Sequence, residues 1–173
     1  MPSRTPGASV GLWFLRTEVR VPVPGESAVS LAVRPRIGVQ SRAVNTRVLQ
    51  EELSPHTDAR GWVMEPIPPE SIPAQHNVHV VITEPGCVRG NHFHQRGTEI
   101  TVLQGPALVR IREGGEVREV QVQDGELVRF TFPPGIAHAF KNTGSRATML
   151  VAFNTVAHDP AKPDVVRDVL IES

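Results

Sequence analysis

His92 and His94 sit at i and i+2 in the run Gly86-Cys87-Val88-Arg89-Gly90-Asn91-His92-Phe93-His94-Gln95-Arg96-Gly97-Thr98-Glu99. On a β-strand that spacing puts both imidazoles on one face, and Glu99 follows after a connection short enough to return the chain beside them. A third imidazole, His138, comes just after the rigid turn Pro133-Pro134-Gly135. Three neutral imidazoles and one carboxylate suit one divalent transition metal: zinc first, with iron, manganese or nickel as alternatives. They also leave coordination positions open for water or substrate. The chemistry open to such a site includes proton abstraction beside a ketone. The enolate that develops needs a donor or positive charge at its oxygen, and a Lewis-acidic metal supplies one. An imidazole near neutral pKa moves the proton, and His76, His79 or an unligated His92 are the candidates. Arg60 and Arg89 offer guanidinium groups for bidentate clamping of an anion.

The elements that must position these residues read as β. Short runs rich in Val, Ile, Thr and Phe span Val78–Thr83, Glu99–Leu103, Ala107–Arg112, Glu116–Gln123, Glu126–Phe132, Ala147–Phe153 and Val165–Ile171. Gly114-Gly115 and Asp124-Gly125 are expected to be hairpin turns, since positive φ is cheap there. No helical period is sustained, so the expected fold is all-β, a single jelly-roll β-barrel over residues 45–173 with an interior able to hold a small molecule. Residues 1–44 carry six arginines, two glutamates and five prolines, and read as a loosely ordered N-terminal extension. Cys87 is expected to be a small buried filler.

With 173 residues there is room for one domain of ordinary size. Eighteen basic against eighteen acidic residues provide no global field for nucleic acid or an anionic membrane. The single cysteine excludes an internal disulfide framework and a thiolate metal site. Without an apolar run near the roughly 18 residues of a membrane span, and without a secretory signal, a cytoplasmic protein is expected. Open barrel edges and an apolar-alternating N-terminal arm point to a homodimer.

The chain resembles the cupin superfamily. Gly86, His92, His94, Glu99 and Gly105 follow its first motif with one residue fewer before the last glycine, and Gly125, Pro133, Gly135, His138 and Asn142 follow its second with two more after the first. The resemblance implies a jelly roll that binds a metal through His92, His94, Glu99 and His138. Arg89-Gly90-Asn91-His92-Phe93-His94, the 133–144 stretch and the tail from His158 to Asp164 are similar to the C-terminal cupin domain of capsular-polysaccharide reductases, which epimerises a 4-keto sugar nucleotide at C3. Asp58-Ala59-Arg60-Gly61-Trp62 and Gln75-His76-Asn77 are similar to segments of dTDP-4-dehydrorhamnose 3,5-epimerases, and the Arg89-to-His94 string also to sugar 3,4-ketoisomerases. These similarities imply Arg60, Arg89, Gln75 and Asn77 as substrate-binding residues and His92 as a base. The 3,5-epimerases use a tyrosine as acid, whereas this chain has seven histidines and no tyrosine. A two-base mechanism of that kind is therefore not expected.

Three functions fit. The first is a metal-assisted epimerase or isomerase of a 4-keto sugar nucleotide in polysaccharide or deoxysugar synthesis. The second is a small Fe(II) dioxygenase, since the same four ligands hold iron with open positions. The third is a non-catalytic sugar- or metabolite-binding module.

Overall fold

Alternation along the strands builds this domain. In the segment Ala107–Glu113, Ala107, Val109 and Ile111 are buried while their neighbours are only partly covered; in Leu127–Phe132, Val128, Phe130 and Phe132 are buried with partly covered Arg129 and Thr131 between them, and Leu127 is buried as well. The computed structural model describes residues 46–172; the extension expected over 1–44 lies outside them.

Twelve strands follow in order: β1 (Leu49–Glu52), β2 (His56–Asp58), β3 (Gly61–Val63), β4 (Asn77–Thr83), β5 (Val88–His94), β6 (Glu99–Gln104), β7 (Ala107–Glu113), β8 (Glu116–Val122), β9 (Leu127–Phe132), β10 (Ala137–Asn142), β11 (Thr148–Asn154) and β12 (Val165–Arg167). Two five-stranded antiparallel sheets, β1-β9-β6-β11-β4 and β12-β5-β10-β7-β8, form the jelly roll, and β2-β3 is a separate hairpin. One 3-10 turn, Pro69–Ala74, is the only helical element among the described residues, and no helix there is long and apolar enough to cross a membrane.

The inward rows of the two sheets fill one half of the barrel with Leu103, Val109, Ile111, Phe130, Phe132 and Phe140. The chemistry-bearing residues continue these same rows. Glu99 and Thr101 precede Leu103 on β6, and His138 precedes Phe140 on β10. The apolar half therefore dries and supports the polar half.

Three sequence expectations change. Gly114-Gly115 is a hairpin turn, with φ of +60° and +89° between paired strands. Asp124-Gly125 is a tight turn, closed by the Glu126 N–H on Gln123 O at 3.1 Å, but not a hairpin, because β8 and β9 belong to different sheets. The C-terminal strand ends at Arg167 rather than Ile171. Beyond it the Asn91 side chain takes over: Oδ1 accepts from the N–H groups of Leu170 and Ile171 at 2.8 and 3.0 Å, and Nδ2 donates to Ile171 O at 2.9 Å. This clamp seats Leu170 and Ile171 over Ala137 and Ala139 on the outer face of β10. Cys87 is exposed, in the turn closed by its N–H on Glu84 O, rather than a buried filler.

Candidate metal centre

β5 does not run straight into the site. Gly90 and Asn91 both have positive φ, +79° and +57°, and the register against β10 slips between Ala139, opposite Gly90, and His138, opposite His92. The extra residue is a β-bulge, which re-aims the following side chains. A Cβ on Gly90 would lie 2.7 Å from His138 O and 3.1 Å from Ala139 Cα, so only glycine lets β10 approach. The bulge puts His92 directly beside His138, and His94 follows on the same face. Glu99 arrives from the facing sheet at the start of β6, after a loop tied down by Asp164.

The donor atoms of His92, His94, Glu99 and His138 all lie within 4.8 Å of one another. Ligands held 2.0–2.2 Å from one shared ion stand at most about 4.4 Å apart, so a contraction of a few tenths of an ångström closes the set. Glu99 and His138 are buried, the other two partly so. His94 Nε2 lies 2.6 Å from Glu99 Oε2, and His138 Nε2 lies 3.4 Å from Glu99 Oε1. Thr101 donates its hydroxyl to Glu99 Oε1 at 2.6 Å. His138 is stacked on Phe132, with centroids 4.1 Å apart, and its Nδ1 lies 3.1 Å from Ile136 O. That contact fits an Nδ1–H donor and leaves the Nε2 lone pair aimed into the cluster.

His92 Nε2 and His138 Nε2 are buried with no hydrogen-bond partner among the described residues. A buried lone pair without a donor is expensive, and two converging on one carboxylate are what a metal ion satisfies. The residues present therefore fit a divalent ion. Burial, reinforced by the neighbouring His138 imidazole, pushes His92 down to about 4, so its ring is neutral at pH 7 and able to ligate or to accept a proton. Burial opposes ionisation of Glu99, yet the facing His138 and His94 rings and the Thr101 hydroxyl hold its carboxyl well below the usual carboxylate range. Burial also opposes charge on His94, but the Glu99 hydrogen bond and the nearby Asp164 outweigh it and raise His94.

Asp164 is a site residue that the sequence reading did not single out. Its side chain is 9% exposed. It accepts from the Arg96 N–H at 3.0 Å, Arg96 Nε at 3.1 Å and the Gly97 N–H at 2.9 Å, and it lies 3.4 Å from His94 Nδ1. It thus orients His94 and pins the 95–98 loop that delivers Glu99. Burial opposes its ionisation, but the Gly97 and Arg96 donors prevail and lower its carboxyl. A depressed folded value means the contribution to stability is present above about pH 4, the unfolded value, and is lost as the pH falls through the lower folded value. Asp164→Asn is therefore expected to flatten the acid limb of the stability–pH curve below pH 4. At pH 7 we expect it to lower stability by about 2 kcal/mol through weakened charge-assisted bonds. Urea midpoints measured from pH 2.5 to 7 check both effects, and an unchanged acid limb would contradict this role.

A cavity of about 510 Å³ opens over the cluster, within the range of small-molecule sites. His79 and Asn77 of β4 line it beside His92, His94 and Glu99. His158, expected to be a loop residue, lies in a loop and also lines it. The remaining expected residues stand elsewhere. Arg60 is in the β2-β3 hairpin, ion-paired with Asp58; Arg89 donates to Ile82 O at 3.2 Å; Gln75 donates to Ser71 O; His76 donates its backbone N–H to Asn154 O. None of these four is among the residues lining the cavity.

Residues 56–166 match the profile of the polysaccharide biosynthesis C-terminal domain. No curated protein sequence matches the chain. Among solved structures, the capsular polysaccharide assembling protein CapF from Staphylococcus aureus is 26% identical with a TM-score of 0.51, over 56% of this chain and 27% of that one. The chain thus spans about a quarter of CapF. The sugar 3,4-ketoisomerase QdtA from Thermoanaerobacterium thermosaccharolyticum, solved with TDP, has a TM-score of 0.56 at 16% identity, over 70% of this chain and 88% of that one. The 3′-monoepimerase ChmJ from Streptomyces bikiniensis, solved with dTDP-quinovose, has 0.58 at 21%, over 69% and 68%. The last two likenesses establish the shared jelly roll.

Proposed function

The chain belongs to the polysaccharide biosynthesis C-terminal domain family, and from that premise we propose that it is a metal-dependent epimerase or isomerase of a 4-keto sugar nucleotide. The observation that carries this reading is the three-histidine, one-glutamate cluster beneath a cavity of small-molecule size. Support for the substrate class comes from ChmJ and QdtA, which were solved with dTDP-quinovose and TDP.

A divalent ion held by His92, His94, Glu99 and His138 supplies Lewis acidity toward a ketone oxygen. The other work falls to the chain's own residues. His79 stands on the cavity wall from β4, on the sheet opposite His92 and His138. In our reading it takes the proton from the carbon beside the ketone, a proton from solvent water then reaches the opposite face of that carbon to complete inversion, and His79 afterwards releases its proton to solvent. Asn77, two residues earlier on the same face of β4, is placed to hydrogen-bond a sugar hydroxyl. Phe132 and the apolar half of the barrel keep water from the floor, where charge developing on the substrate is felt most strongly. Arg60, Arg89, Gln75 and His76 would act only on parts of a substrate extending beyond the cavity. We read the protein as a cytoplasmic homodimer, supported by the exposed Val78, Val80 and Ile82 on edge strand β4.

Incubating the zinc-loaded protein with dTDP- and UDP-linked 4-keto-6-deoxy sugars in D2O is expected to place deuterium at the carbon next to the ketone, read by NMR. His79→Gln should slow that exchange by about a hundredfold or more while leaving zinc content unchanged. Absence of exchange with both nucleotides would sink the reading, and iron-dependent oxygen uptake instead would favour the dioxygenase.

A further inference from the structure

Among the described residues, the cavity is lined by acids and by no base stronger than histidine. Glu99, Asp159 and Asp164 line it, and no described lysine or arginine does. A sugar ring is welcome there, whereas a phosphoryl group is repelled by the carboxylates and needs a cation outside the floor. Strand β12 supplies one. Its register sets Val165 opposite His94, Val166 opposite Phe93 and Arg167 opposite His92. Directly opposed residues of an antiparallel pair share a face, with Cβ atoms about 4.5–5.5 Å apart. Val165 lines the cavity, so Arg167, two residues on, extends from the same face one residue pair further along the sheet edge. Arg167 is exposed. Its guanidinium has no hydrogen bond or ion pair among the described residues, unlike Arg96, Arg112 and Arg129, which are held by Asp164, Asp168 and Glu51.

We infer that Arg167 is the substrate's anion-binding residue: it holds the diphosphate of a sugar nucleotide at the β12 rim while the sugar ring occupies the cavity. The inference rests on the sugar-nucleotide reading above and adds which residue recognises the charged half. A planar fork of donors matches phosphoryl oxygens bidentately, and an unpaired guanidinium has no internal partner to surrender on binding.

The test is calorimetric titration of UDP and of dTDP into the zinc-loaded full chain and its variants. Arg167→Ala and Arg167→Gln are expected to weaken binding by about tenfold to a hundredfold. Arg167→Lys should restore part of the loss, and zinc affinity should stay the same throughout. Arg146→Ala is the control: among the described residues its guanidinium likewise has no side-chain partner, but it sits with Gln104 and Gly144 in a different pocket. Equal binding by wild type and both Arg167 variants would overturn the assignment while leaving the sugar-nucleotide reading intact. So would an equal loss in Arg146→Ala, which indicates diffuse charge alone. Failure of the wild type to bind either nucleotide would overturn the sugar-nucleotide reading and the assignment with it.

Discussion

Zinc is expected to raise the melting temperature of the wild-type protein by about 5–10 °C when present at a hundred times its dissociation constant, and Glu99→Gln is expected to abolish that rise. The size follows from mass action. A ligand at a hundredfold excess over its dissociation constant adds about 2.7 kcal/mol, and each kcal/mol moves the midpoint of a domain this size by about 2–4 °C. Glu99→Gln keeps the side-chain volume but removes the single carboxylate among four donors, so two orphaned imidazole nitrogens lose the negative charge that makes an ion welcome. The metal-free variant is also expected to lose about 1–3 kcal/mol, because His94 Nε2 gives up its 2.6 Å charged partner in a buried setting. Thermal scans with chelator and with zinc, alongside elemental analysis of the purified proteins, check both effects. An equal zinc-induced rise in wild type and variant would remove Glu99 from the ligand set.

The second large effect is expected at a residue with no functional group. Gly90→Ala should destabilise the domain by about 3 kcal/mol and weaken zinc binding by about tenfold or more. A non-glycine residue held at positive φ costs about 1–3 kcal/mol, and the new methyl would also stand 2.7 Å from His138 O. That neighbour is backbone and cannot swing aside. Relief requires β5 and β10 to separate or the bulge to collapse, and either displaces His92 from its place beside His138. Gly114→Ala is the comparison. Its φ is also positive, at +60°, but nothing stands within 4 Å of the added carbon, so a loss of about 1 kcal/mol with unchanged zinc affinity is expected there. Urea unfolding and competition with a chromophoric chelator separate the two variants. If Gly90→Ala behaves like Gly114→Ala, the bulge does not position the metal ligands.

Most strands were legible because alternation between buried and exposed positions is written in neighbouring residues. Ala107–Glu113 is bounded within one residue by its Ala-Leu-Val-Arg-Ile-Arg pattern. The hairpin expected at Asp124-Gly125 shows the limit of that kind of reading. Turn chemistry declares that the chain bends there, as φ of +84° at Gly125 agrees, but which sheet receives the next strand depends on distant pairing of β9 with β1 and β6. The strand expected through Ile171 failed for a related reason. Residues 168–171 have a strand-like composition, but the backbone groups of Leu170 and Ile171 are taken by a side chain, Asn91, about eighty residues away.

The donor set stood out in the sequence because imidazole and carboxylate chemistry and a two-residue strand period are local properties, sufficient to name His92, His94, Glu99 and His138 as metal-binding candidates. Tertiary structure alone decided the rest. The bulge that aligns His92 with His138, the Asp164 brace behind His94, the placement of His79 and Asn77 on the cavity wall with Arg60 outside it, and the unpaired Arg167 at the rim all arise from contacts between strands far apart in the chain. Distance along the sequence carries no record of which residues the two sheets bring face to face.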